Sequence, residues 1–378
     1  MTTFQAAQPA LSSIPAEIGC AQDYEQLAPR FMALPTFEYI AGGSGAGVTT
    51  AANRAAFARW SVLPRILRDL KHGHTRFKLA GRAFEHPILL APVAFQTLAH
   101  PNGEIDSARA AQALAATMVS STLSSFSVED IGAAIAPGAH WFQLYFQGGR
   151  AATLQLLRRA EAAGVGAIVV TVDAVIQAPG SRALRAGFRM PPDCVAPNLP
   201  PGQTPPPLLE AGDSRIFKGL MAAAPNWDDL AWLLSETALP VWVKGVLHPD
   251  DARQALLLGA AGIVVSNHGG RGLDGAPASL DALRAIRTAV GEHAPLLFDG
   301  GIRSGADIFK ALALGADAVL VGRLQMYALA VAGALGVAHM LRCLREELEM
   351  CMALAGCATL EQIDSACLWR DEHRENPC

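Results

Sequence analysis

The chain has 378 residues, 51 % of them hydrophobic and 17 % charged. That length suits one large domain with extensions or two ordinary ones, and the apolar content is ample for a core and too high for a disordered chain. With 30 basic and 34 acidic residues the net charge is −4, and no Lys/Arg-rich block occurs, so a nucleic-acid partner is not expected. The seven cysteines include no CxxC pair and read as reduced thiols of a cytoplasmic protein. The first residues lack a basic start followed by an apolar run, so no signal peptide is expected. No run of about 18 uncharged apolar residues predicts a membrane span either.

In chain order, residues 1–85 contain a helical stretch, AQDYEQLAPRFMALPTFEYIAGG, that stops at a Gly-Gly pair and is predicted to form an N-terminal helical cap. From residue 86, short apolar runs alternate with Ala/Leu-rich helical stretches. Strands are predicted at 86–94, 117–123, 140–145, 167–173, 239–245, 262–268, 295–301 and 318–323. Eight such units in series, with strands apolar on both faces, predict an α/β fold, a closed parallel (β/α)8 TIM barrel over residues 86–364. Between the fourth and fifth strands lies a long Pro-rich insertion, 189–238, of a length that is usually functional or mobile. Asp250 and Asp251 are placed to start the helix after the fifth strand. Residues 324–364 read as helical, and 365–378 as a C-terminal tail.

In such a barrel, ligands meet the C-terminal ends of the strands, and phosphate groups bind after the seventh and eighth. The seventh run ends in D-G-G-I-R-S-G (299–305) and the eighth in Gly322-Arg323. Glycine lets backbone N–H groups approach a phosphate, and Arg303 and Arg323 add positive charge. Ordinary βα turns would also hold such glycines. The sixth run ends in Ser266-Asn267-His268-Gly269-Gly270-Arg271. Of ten histidines, His268 alone ends a predicted strand. It suits proton abstraction near neutral pH, and Arg271 suits a carboxylate; a structural histidine at the rim is the alternative. Lys244, ending the fifth run, needs a polar or anionic partner if buried, and could be a Schiff-base lysine or a cation beside a ligand. Asp173, ending the fourth, could orient His268. Gln143 and Tyr145 end the third run and Ser124 the second; each could also satisfy backbone groups at the rim.

These residues fall within a pattern that resembles the FMN-dependent 2-hydroxy-acid oxidases and dehydrogenases, a family that includes glycolate oxidase, lactate oxidase and mandelate dehydrogenase. The resemblance rests on S-N-H-G-G-R-G-L-D-G-A-P (266–277), and on D-Y-E-Q-L-A (23–28), A-P-V-A-F-Q (91–96), A-H-P-N-G-E (99–104) and T-L-S-S-F-S-V-E-D-I (122–131). F-Q-L-Y (142–145), T-V-D (171–173), V-K-G (243–245) and D-G-G-I-R-S-G (299–305) follow in the same order. It implies FMN as cofactor. Pro92, Val93 and Ala94 would present backbone groups to the flavin ring, with Ser124, Gln143, Thr171 and Ser266 around its polar edge. Lys244 would stand beside the N1–C2 carbonyl region, and Asp299, Gly300, Gly301, Arg303, Gly322 and Arg323 would hold the phosphate end. Tyr24 and Arg271 would bind the substrate carboxylate, Tyr145 the hydroxyl or carboxylate, and Asp173 would orient His268.

The activity implied is oxidation of a small L-2-hydroxy acid to the 2-keto acid. His268 would remove a proton from C2 or from the hydroxyl, electrons would pass to flavin N5, and O2 or another acceptor would receive them. A homotetramer is implied as well. One departure stands out. Where the family carries an arginine seven residues past the Asp of T-V-D, this chain has Gly180, so Arg182 or Arg185 would have to supply the charge from a shifted loop. Phe126 stands where a larger aromatic sometimes occurs. A divergent substrate, or a Schiff-base aldolase- or isomerase-type barrel using Lys244, is the competing expectation.

Overall fold

The computed structural model describes residues 7–177, 180–199, 209–210 and 212–370. Eight parallel strands close into a barrel: β1 Ile88–Leu90, β2 Thr117–Ser121, β3 His140–Leu144, β4 Ile168–Thr171, β5 Val241–Val246, β6 Gly262–Val265, β7 Leu296–Asp299 and β8 Ala318–Val321. Each pairs with the next, and β8 returns to β1 through Val319 and Ile88. All eight predicted strands form; seven stop short of their predicted ends, where the chain turns outward to the rim, and β5 runs one residue past its predicted end, to Val246. Asp173 therefore lies just beyond β4 and His268 just beyond β6.

Alternation along the strands builds two cores. Leu89, Val119, Trp141, Val169, Trp242 and Leu297 point inward and fill the barrel, while Ile88, Leu90, Met118, Phe142 and Ile263 face the helices. Burial on both sides is why the strands read as continuous apolar runs. Inside, Trp141 stacks on Trp242 with ring centroids 5.5 Å apart. The end where the strands begin is closed by a hairpin, Phe77–Leu79 with Arg82–Phe84, whose Phe84 ring meets Trp141 edge-on at 6.4 Å.

The first 85 residues thus hold short strands as well as the expected helices. Trp60–Val62 pairs antiparallel with Leu368–Arg370, so the segment after 365 is folded as far as 370. The rest of the predicted tail, 371–378, lies outside the described residues, as do 200–208 and 211 of the Pro-rich insertion. What is described of that insertion includes a helix, Trp227–Ser235, started by a reciprocal capping box between Asn226 and Asp229. The helix Pro249–Leu257 begins as expected, with Asp250 and Asp251 in its first turn. Helix Arg323–Ala355 has a window of mean hydropathy 1.5, apolar enough to cross a membrane, yet 78 % of that window is buried in the protein. It packs on helices Gly103–Ala113 and Gly305–Ala313 as a core helix, with its helical geometry interrupted at Ala332 and Gly333.

Candidate active site

A cavity open to solvent lies at the ends of the strands. Pro92–Phe95 after β1, Lys244 of β5, His268 and Arg271 after β6, Asp299 at the end of β7 with Gly300–Arg303 after it, and Gly322-Arg323 after β8 all line it. Sequence reasoning brought most of these together because they share one rule, position at a strand's C-terminal end.

His268 sits with φ 59°, a left-handed conformation uncommon outside glycine. The turn is held by its N–H donating to Ser266 Oγ at 2.9 Å and by Asn267, whose amide exchanges hydrogen bonds of 2.8 Å with Asn53. The imidazole Nδ1 lies 2.9 Å from Asp173 Oδ1. Carboxylate on Nδ1 fixes the tautomer with its lone pair on Nε2. Burial opposes ionisation of Asp173, but the charges of His268 and Lys244 outweigh it and hold the carboxyl below the usual range. Gly245, at φ 105°, keeps that carboxyl in place, since any side chain there would strike it.

Lys244 is buried 3.0 Å from Asp299 and donates to Ser266 Oγ at 3.0 Å. Ser266 in turn donates to Asp299 Oδ2 at 2.6 Å. Burial disfavours the ammonium, yet Asp299 and Asp173 raise its pKa above the ordinary lysine value. A Schiff-base lysine needs the opposite, a lowered pKa. Lys244 is therefore a fixed cation on the cavity wall.

Beyond β8, Arg323 donates to the carbonyls of Ile40, Gly269 and Gly42 at 3.1, 2.8 and 2.7 Å. Burial, with Arg271 and Arg303 nearby, pulls its pKa down to about 10. Such a guanidinium, crowded by like charge, is stabilised by an anion. Arg303 lines the same end but forks onto Glu25, at 2.7 and 3.1 Å. Asp299 faces Lys244 and Ser266.

Tyr145 lines the cavity, and burial followed by the Asp173 charge raises its hydroxyl pKa, keeping it a phenol. Behind the wall, Gln143 Nε2 and Thr171 Oγ1 are buried without a partner among the described residues, while Ser124 Oγ accepts from Ser121 N–H at 3.0 Å.

Three expectations are corrected. Tyr24 does not line the cavity: it is fully buried against helix Arg323–Ala355, with its hydroxyl 3.0 Å from His339 Nδ1. Besides Tyr145, the phenol that does is Tyr39, which is not among the residues expected from the sequence. Its ring lies 4.9 Å from the Arg271 guanidinium and stacks on Phe188 at 4.2 Å. The available signal was its place just before Gly42-Gly43, the turn whose Gly42 carbonyl accepts from both Arg271 and Arg323. Phe126 packs on the helix-side core and does not line the cavity. Arg182 is paired with Glu38 and half exposed, Arg185 is exposed, and neither reaches the wall. At Gly180 a Cβ would sit 2.6 Å from the Gly43 carbonyl oxygen, so the loop docks backbone to backbone. Gln177 of that loop lines the cavity instead.

Residues 28–370 match the family described as FMN-dependent dehydrogenase. The chain belongs to that family. It is 64 % identical over 351 residues to an L-lactate oxidase of Alicycliphilus denitrificans, covering 93 % of this chain and 96 % of the relative. It is 43 % identical to a 4-hydroxymandelate oxidase of Amycolatopsis orientalis, covering 89 % and 94 %. Among solved structures, a mandelate oxidase bound to 3,3-difluoro-2-hydroxy-3-phenylpropionic acid superposes with a TM-score of 0.83 at 42 % identity, covering 93 % of this chain and 98 % of that one. This FMN-dependent dehydrogenase is thus an FMN-binding oxidoreductase that acts on 2-hydroxy acids.

Proposed function

We propose that the enzyme oxidises a small L-2-hydroxy acid, lactate foremost, to its 2-keto acid, with O2 as electron acceptor. The observation that carries this is the His268–Asp173 pair at 2.9 Å, facing a cavity that also holds Arg271. The 64 % identical L-lactate oxidase supports lactate and oxygen over other members of the class.

The residues present fit FMN. The unpartnered Gln143 Nε2 and Thr171 Oγ1 want polar atoms of a ligand, Lys244 supplies a cation for the ring's polar edge, and Arg323 wants an anion. Pro92, Val93 and Ala94 would carry the ring, and Gly301, Arg303, Gly322 and Arg323 the phosphate. When bound, FMN supplies the acceptor for the two electrons that leave the substrate.

The chain's own groups do the rest. Arg271 and Tyr39 hold the substrate carboxylate, and Tyr145 donates to the hydroxyl or carboxylate. Oxidation releases two protons with the two electrons: His268 Nε2 takes one, and the other would go with the electron pair to the bound FMN, either within a hydride or as a separate proton. Asp173 stabilises the imidazolium that results. A second reading, a divergent hydroxy acid, rests on Gly180: with Arg182 held by Glu38, the 180–187 loop brings no guanidinium to the wall.

Anaerobic mixing with lactate, glycolate and mandelate tests all of this by flavin bleaching. Lactate is expected to bleach fastest and air to restore the colour. Failure of every hydroxy acid would end the reading; a reduced flavin that persists in air would end the oxygen part alone.

A further inference from the structure

The segment after β1 contains a strained residue that the roles assigned above leave unexplained. Phe95 adopts φ 52° and ψ 52°, a left-handed conformation disfavoured for an aromatic side chain. It lines the cavity, and its N–H donates to Leu123 O at 3.0 Å. The next N–H, of Gln96, donates to Glu104 Oε1 at 3.0 Å, and the same oxygen accepts the Ser125 N–H at 3.0 Å. One carboxylate thus ties the loop after β1 to the loop after β2.

That carboxyl group is 0 % exposed, and its Oε2 has no partner among the described residues. Burial pushes its pKa up; the N–H groups of Gln96, Ser125 and its own backbone pull back, and no cation contributes. A buried charge is an unfavourable way to satisfy two amides that a neutral carbonyl would serve. Its position in the first turn of helix Gly103–Ala113 offsets part of the penalty. A single side-chain oxygen that accepts from both loops makes the tie, and it sits one residue beyond the strain at Phe95.

We propose that Glu104 is a positioning residue for the flavin, holding Phe95 left-handed so that the backbone of Pro92–Ala94 faces the ring. This rests on the reading that FMN occupies the cavity against that segment. Without the clamp the two N–H groups lose their acceptor, Phe95 relaxes, and the ring's support shifts.

The test is Glu104→Ala, with Glu104→Gln as the conservative variant that keeps an acceptor of the same reach. In Glu104→Ala, FMN affinity of the apoprotein, read by flavin fluorescence, is expected to fall by about tenfold or more. Flavin-saturated protein should also show a shifted visible spectrum and altered sulfite affinity, which reports the ring's electrophilicity. Glu104→Gln should restore most of both. A saturated Glu104→Ala protein with the parent's spectrum and sulfite affinity, and only a lower Tm, would overturn the proposal. If Glu104→Ala does not fold, Glu104→Asp, which keeps the carboxyl group but shortens the reach, is expected to show the same spectral and sulfite shifts, and parental values there would overturn it equally. Lys244→Met, made alongside, separates the two ideas: if it leaves FMN affinity and spectrum untouched, the cavity reading fails rather than the clamp.

Discussion

The two ends of the barrel are built from the same strands on opposite terms. Where the strands begin, the side chains are large, apolar and interlocked: Phe84 on Trp141, Trp141 on Trp242. Where they end, the chain buries charge, with Lys244 against Asp299 and His268 against Asp173, and leaves Gln143 Nε2 and Thr171 Oγ1 without partners among the described residues. His268 and Phe95 are both left-handed there. Local rules are broken at this end because groups held ready for a ligand stay unsatisfied until it binds, while the interlocked aromatic end contributes stability.

The sharpest way to break this contrast is to alter one residue at each end. His268→Ala is expected to keep flavin bound and slow its anaerobic reduction by about 10²–10⁴-fold, measured by stopped-flow absorbance. At the other end, Trp141→Ala should lower stability by about 3–5 kcal/mol in urea titration, while kcat/KM of the folded protein changes little. A tenfold loss of kcat there would show that the ends are not separable.

His140, which opens β3, qualifies the picture, because it is a buried polar group at the quiet end. Burial holds its imidazole at about 4 against an ordinary 6.5. The unfolded chain takes up the extra proton between those values, so the stability is fully present above pH 6.5 and lost as pH falls toward 4. The loss amounts to about 3 kcal/mol. Urea midpoints at pH 7 and pH 5 should converge in His140→Asn. The smallest effect belongs to Tyr39→Phe. Losing one hydrogen bond to a carboxylate should raise KM for the hydroxy acid by about tenfold with a lesser change in kcat. An unchanged KM would remove Tyr39 from the substrate.

How much of this was legible follows from the same contrast. The strands and most of the cavity wall were readable, since double burial writes continuous apolar runs and strand ends place the polar residues that follow. Tyr24 and Tyr39 were not separable, because both lie in one apolar-periodic stretch and only tertiary packing decides which phenol faces helix Arg323–Ala355 and which the cavity. The hairpin around Gly81 has strands of three residues, too short for an alternating pattern. The docking of Gly180 on Gly43 depends on a backbone approach that no side-chain pattern encodes.

The Gly42 carbonyl, shared by two guanidiniums, makes the turn before residue 48 a brace common to substrate grip and cofactor anchorage. A protease nick in that turn would leave all eight barrel strands and their inner aromatic stack intact while disturbing an acceptor on which both arginines rely. Drift in a stretch that contributes nothing to the barrel therefore retunes both binding functions together.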